Sequence, residues 1–337
     1  MMRSLNRCSL SRGFGVVVFV AACSSGPTAP VGGATGALYV ANETGRSITV
    51  YAPGATGNAP PLRTIAGGNT GLTFPNSIAR DRTGRVYVVN AGSSGTSPET
   101  LTVYADSATG NVAPVRTIPG IDAGRHNTGG MAVDAAGRLY LATHRFGGAT
   151  IGDTIKVFAA NASGDAAPLY TIAGTNTGLN VPGAIALDAE GRLYVANYES
   201  STVTVYAPGA SGNAAPVTTI AGIHTGLNSP EYIALDRFGR LYVLNIVIIS
   251  NQAHYHVTTF RATATGDASP IATLTGGNLD VGVPSGLAVD GTGRLYVAKN
   301  GTSTIAIYAP GASGSDAPVD SIAGPGTGLS SPAYITF

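Results

Sequence analysis

Tryptophan is absent from this 337-residue sequence, cysteine occurs twice, methionine three times, and charged residues make up only 11%. Each shortage excludes something. A disordered chain is rich in charge and poor in aliphatics, whereas hydrophobic residues here reach 44%, so the low charge belongs to a folded chain. Both cysteines, Cys8 and Cys23, fall near the start, which excludes a disulfide framework across the rest of the protein. No apolar run approaches the roughly 20 residues of a membrane-spanning helix. A net charge of +1 lacks the basic excess that a nucleic-acid partner demands. What the sequence has in plenty is glycine, 47 residues, together with 20 prolines. The glycines show no three-residue period, so collagen is excluded as well.

The first segment reads as an export signal. Arg3, Arg7 and Arg12 precede the apolar stretch Gly13 to Ala22, too short to span a bilayer. Val20-Ala21-Ala22-Cys23 then matches the bacterial lipobox, in which small residues precede a cysteine that is lipidated and becomes the first mature residue. A plain secretory signal followed by a chance cysteine is the competing reading. Ser24 is not the Asp that retains such proteins at an inner membrane, which favours the outer membrane in a cell that has one. The expected organisation is a signal peptide over 1–22, a lipidated Cys23 and flexible tether over 23–35, and a folded body over 36–337. Processing removes three arginines and turns the net charge to about −2.

The body is repetitive. GRLYVAN at Gly191 to Asn197 recurs as five variants, and the tyrosines of the six copies are Tyr39, Tyr87, Tyr140, Tyr194, Tyr242 and Tyr296. Each copy holds four short β-branched, alternating pieces, such as AIALD, RLYVAN, TVTVYA and PVTTIAG in the fourth. Asp-x-x-Gly-Arg joins the first two, with Asp188 and Gly191 as one example, and this is the chemistry of a tight hairpin. Four antiparallel strands repeated six times, at intervals of 48 to 54 residues, predict an all-β, six-bladed β-propeller of four-stranded blades. The chain enters on a second strand and ends on a first strand, Tyr334 to Phe337, so the C-terminal strand is expected to complete the N-terminal blade.

Lack of Trp removes the Trp-Asp repeat class. The sequence resembles the NHL-repeat propellers in Pro182 to Asp188, Gly191 to Asn197 and Val203 to Tyr206. The resemblance covers about residues 36 to 337 and implies the fold, in a family that contains both enzymes and binding modules.

The copies differ from one another in one place. From the third-strand Tyr or Phe to the Gly ending the fourth strand the spacing is always 16, yet between strands two and three it is 12 in copies one, four and six and 17, 18 and 18 in copies two, three and five. The insertions, Ala91 to Glu99, His144 to Asp153 and Ile246 to Tyr255, are expected to decorate a single face, where function or neutral drift would both place them. All five histidines, His126, His144, His224, His254 and His256, are assigned to loops of that face or their edges, with Arg125 beside His126. The position after the loop proline reads Asn76, Gly129, Gly183, Glu231, Ser285 and Ala333, and is expected at the axial mouth. Glu231 is its one charged residue, and Asn76 stands three blades away. Glu231, His224, His254 and His256 all belong to blade five or its entry, so a carboxylate and three imidazoles are expected to converge there. Glu231, His224 and His256 are ligand types that suit a divalent metal, or a general base with its partner; His254 and His256 also read as solvated rings on an extended strand. Asn42, Asn90, Asn197 and Asn245, ending the second strands, read as structural caps. Ile246 to Ile249 either tucks beneath its loop or forms an exposed patch.

Two functions follow. One is an extracytoplasmic, lipid-anchored module that binds a protein or small-molecule ligand on the insertion-bearing face. The other is a metal-dependent hydrolase or lyase resembling the gluconolactonase or streptogramin-lyase propellers, with its site at the axial mouth.

Overall fold

The computed structural model describes residues 36–91, 99–121, 130–144 and 152–337. It contains six four-stranded antiparallel sheets. In the fourth blade these are Pro182–Leu187, Leu193–Asn197, Thr202–Tyr206 and Thr218–Ile220, ordered from the inside outwards. The inner strands of blades one to six are Pro332–Thr336, Pro75–Arg80, Met131–Val133, Pro182–Leu187, Pro230–Leu235 and Pro284–Val289. Each inner strand packs against the inner strands beside it, so the six surround an axis. The predicted propeller is the observed fold.

The repeat dictates this arrangement residue by residue. In the Asp-x-x-Gly-Arg turn, the Asp134 Oδ1 accepts from the amides of Ala136 (2.9 Å) and Arg138 (2.8 Å), while Oδ2 takes Arg138 Nε at 2.6 Å. Gly137 sits at φ 79°, a conformation that costs glycine nothing. The second strands of blades one, two, three, four and six are buried along their whole length, and that of blade five is buried over Leu241 to Asn245, because both faces of a blade are covered by neighbours. Each of six apolar clusters straddles two adjacent blades; one joins Tyr39 and Ile48 of blade one to Ile78 and Val88 of blade two. The core therefore lies between blades rather than within them.

Closure takes the expected form. Tyr39, Val40 and Ala41 pair with Thr336, Ile335 and Tyr334, so blade one is built from both ends of the chain. A second clasp lies further out, where the Gly57 amide donates to Ser321 O (2.6 Å) and Ala323 donates to Gly57 O (2.9 Å), tying blade one to blade six.

The buried asparagines are structural, as read from the sequence. Asn197 Nδ2 donates to Thr204 Oγ1 at 3.0 Å, and its Oδ1 accepts the Asn180 amide at 3.1 Å. The Ile246 to Ile249 run departs from expectation: rather than a loop, it prolongs the second strand of blade five to Leu241–Ile249, paired with Gln252–Phe260. Ser250 and Asn251, at φ 50° and 62°, turn the hairpin tip. Ile248 and Ile249 are exposed at that tip.

Candidate functional site

Among the described residues, the inner strands of blades one, two, four, five and six each begin with a break in register. In blade five Pro230 pairs with Asn245 and Tyr232 with Leu244, leaving Glu231 as the extra residue of a β-bulge. The same bulge isolates Asn76 in blade two and Ser285 in blade six. A bulge breaks the ladder and re-aims the unpaired residue. Ahead of it, Val181, Ser229, Val283 and Ser331 occupy the left-handed region at φ 41–50°. That region is unfavourable for a β-branched residue such as Val181. Its amide is held by Asp153 Oδ2 at 2.7 Å, whereas Ser201 and Ser303 hydroxyls, each at 3.1 Å, do the same for Ser229 and Ser331.

The starts of the inner strands of blades three to five frame a pocket of about 150 Å³ at the axial mouth. Tyr232 and Tyr334 line its axial side, their rings 5.6 Å apart and tilted by 59°. The adjoining backbone is close-packed: the Gly130 amide donates to Gly183 O at 2.6 Å, and a Cβ on Gly130 would stand 2.5 Å from the Ile185 nitrogen. His144, Tyr198 and Ile246 form the walls, and Glu231 enters from its bulge.

The electrostatics of the pocket follow from burial. Glu231 is half-buried, makes no hydrogen bond or ion pair among the described residues, and has its carboxyl pushed up to about 7 by desolvation alone. Burial raises the Tyr334 phenol and, together with the neighbouring Glu231 charge, holds Tyr232 well above the usual phenol range. His144 is 4% exposed, with Nδ1 at 3.0 Å from Pro182 O. Burial lowers its pKa, against the pull of that carbonyl and of the Asp153 and Glu199 charges.

Of the sequence-derived candidates, Glu231 and His144 meet in this pocket. Asn76 occupies the opposite bulge with its Oδ1 buried and without a partner among the described residues. The expected convergence of three imidazoles on Glu231 does not occur. His224 Nδ1 contacts Asp267 Oδ2 at 2.6 Å, and its amide donates to Oδ1 of the same carboxylate at 2.7 Å. That pair is a copy of the latch in which Asn213 Oδ1 accepts the Asn176 amide between blades. His254 and His256 lie on the third strand of blade five, not in a loop. His254 Nδ1 meets Asp280 Oδ2 at 2.9 Å and His256 Nε2 meets Gly226 O at 2.8 Å. Glu231, His224 and His256 therefore do not fit a metal, and among the described residues no three His, Cys, Asp or Glu are grouped to hold one. Arg125, His126 and Cys23 lie outside the described residues.

Of the three wall residues, comparison of the copies singled out His144 as a site candidate but not Tyr198 or Ile246. The residue four after each repeat tyrosine reads Glu43, Ala91, His144, Tyr198, Ile246 and Asn300, different in all six copies. Three of these line the pocket. The residue following the bulge reads Ser77, Gly130, Ala184, Tyr232, Gly286 and Tyr334, and supplies both axial rings. Departure from the repeat at these two positions is the signal that identifies them.

No protein-family model matches the chain, and no curated protein matches it in sequence. Among solved structures, a protein of unknown function from Bacteroides caccae shares 11% identity at a TM-score of 0.57, over 89% of this chain and 97% of that one. The periplasmic gluconolactonase of Pseudomonas aeruginosa shares 15% identity at 0.56, over 89% and 98%. The aldose sugar dehydrogenase of Streptomyces coelicolor, solved with PQQ bound, shares 19% at 0.52, over 85% and 89%. At these identities the likeness is one of fold.

Proposed function

We propose that the protein is an exported, lipid-anchored, NHL-like propeller that binds a small ligand at the axial mouth of its insertion-bearing face. The observation that carries this reading is Glu231, a carboxylate without a partner among the described residues, held by a bulge in a small aromatic pocket. Burying an unpaired carboxylate is unfavourable, and a ligand that meets it recovers the loss. The reading is tested by a fragment screen observed by NMR on the protein and on Ile246→Trp, which narrows the pocket from its half-exposed wall. Fragments that bind the protein and lose binding in Ile246→Trp support the site; fragments indifferent to the substitution reject it. The anchor is tested alongside, since Cys23→Ala abolishes incorporation of a labelled fatty acid, and unchanged labelling rejects lipidation.

A second reading, a hydrolase or lyase, draws on one observation. A carboxyl titrating at about 7 is poised as a general acid or base at neutral pH. This reading stands on Glu231 itself and routes no step through a metal. Two of the similar folds, a gluconolactonase and a sugar dehydrogenase, are enzymes by name.

A further inference from the structure

We propose that the mouth pocket takes a small organic monocation, an ammonium group seated against the tyrosine rings and the Glu231 carboxylate; this rests on the ligand-binding reading above.

Four observations point the same way. The rings of Tyr198, Tyr232 and Tyr334 line the pocket, and the 59° tilt between the latter two turns them out of parallel stacking. An aromatic face carries the negative part of the ring quadrupole and attracts a cation. Glu231 supplies a formal negative charge that no described residue neutralises. The charges felt around the pocket have the same sign: Asp153 and Glu199 act on His144, and Glu43 on Tyr232. No lysine or arginine is among the described lining residues. His144, whose protonation burial disfavours, adds no opposing positive charge. An anionic ligand would meet repulsion from these described charges, and a neutral one could hydrogen-bond the carboxylate without compensating its charge.

Size narrows the class further. A cavity of 150 Å³ is known to accommodate benzene, and this pocket has about 150 Å³. The group seated in the pocket is thus a compact ammonium head.

Choline is the probe, compared with its neutral carbon isostere in which a tert-butyl group replaces the trimethylammonium head. Isothermal titration is expected to show choline binding about tenfold or more tightly than the isostere. Glu231→Gln is expected to abolish most of that preference while leaving the isostere unaffected. The groups facing Glu231 include Tyr198, together with Tyr232 beside it, Tyr255, Tyr334 and His144, of which the last four are each held by burial away from carrying charge. Choline binding should accordingly release protons near pH 7, where Glu231 is half-ionised, and strengthen as the pH rises through about 7. Equal binding of choline and its isostere overturns the cation class while preserving the ligand pocket. A preference that survives in a folded Glu231→Gln, verified by its melting curve, overturns the proposal as well. Failure of both probes also overturns it, and the fragment screen then decides the broader reading on its own.

Discussion

A carboxyl group kept out of water without a partner leaves a thermodynamic trace. Glu231 titrates at about 7 in the folded protein against an ordinary value of 4.5, so between those limits the folded state holds a proton that the unfolded chain has released. The associated stability is complete below about 4.5, declines as pH rises through 7, and is flat above. Glu231→Gln lacks this decline. Relative to the parent, its unfolding free energy measured in urea should rise between pH 5 and 8, by at most about 3 kcal/mol. Parallel pH profiles for the two proteins would show that Glu231 ionises normally. The residue itself was legible in the sequence, because it is the one charge among six equivalent positions. Its neighbours were not: the convergence of His224, His254 and His256 failed because each ring is satisfied locally, by Asp267, by Asp280 and by the Gly226 carbonyl. Sequence could not tell a ring aimed at the axis from one latched to a neighbouring segment.

Among the elements, the third strands show how a repeat tolerates drift. Tyr51, Tyr104 and Tyr206 each donate their hydroxyl to the carbonyl of a threonine in the preceding crossing, Thr327, Thr70 and Thr177, at 2.5–2.6 Å. Tyr308 keeps the tyrosine without the bond, because the crossing before blade six is the short helical turn Gly277–Asp280, and its hydroxyl is buried without a partner among the described residues. Tyr206→Phe should therefore cost about 1 kcal/mol or more, leaving the Thr177 carbonyl unmet. Tyr308→Phe should be neutral or stabilising in the same urea titration. Equal losses would mean that ring packing alone accounts for the position. The four strands of each blade and their hairpins were readable from alternation and from Asp-x-x-Gly-Arg, since those signals are local. The lengthened hairpin of blade five was misread as a loop because an apolar run of four residues carries no period that separates strand from coil.

For the whole molecule, six clusters shared between neighbouring blades make the ring the cooperative unit. Opening it at one joint exposes the inner strands on both sides. Deleting residues 332–337 removes the inner strand of blade one and should lower the melting midpoint by about 10 °C or more. A melting curve unchanged by the deletion would show that the outer clasp at Gly57 suffices to hold the ring. Phase, the entrance on a second strand and the finish on a first, was enough to foresee this closure. Pocket geometry was not, since it depends on which departures from the repeat face inward.

The strand that closes the ring also carries Tyr334, whose ring borders the mouth pocket beside Tyr232. Assembly and recognition are thereby linked at one tyrosine: a chain whose last strand has not docked has no finished binding site, and an occupied site opposes the undocking of that strand. A ligand of this propeller would act as a keystone, protecting against the first step of unzipping as well as against global unfolding.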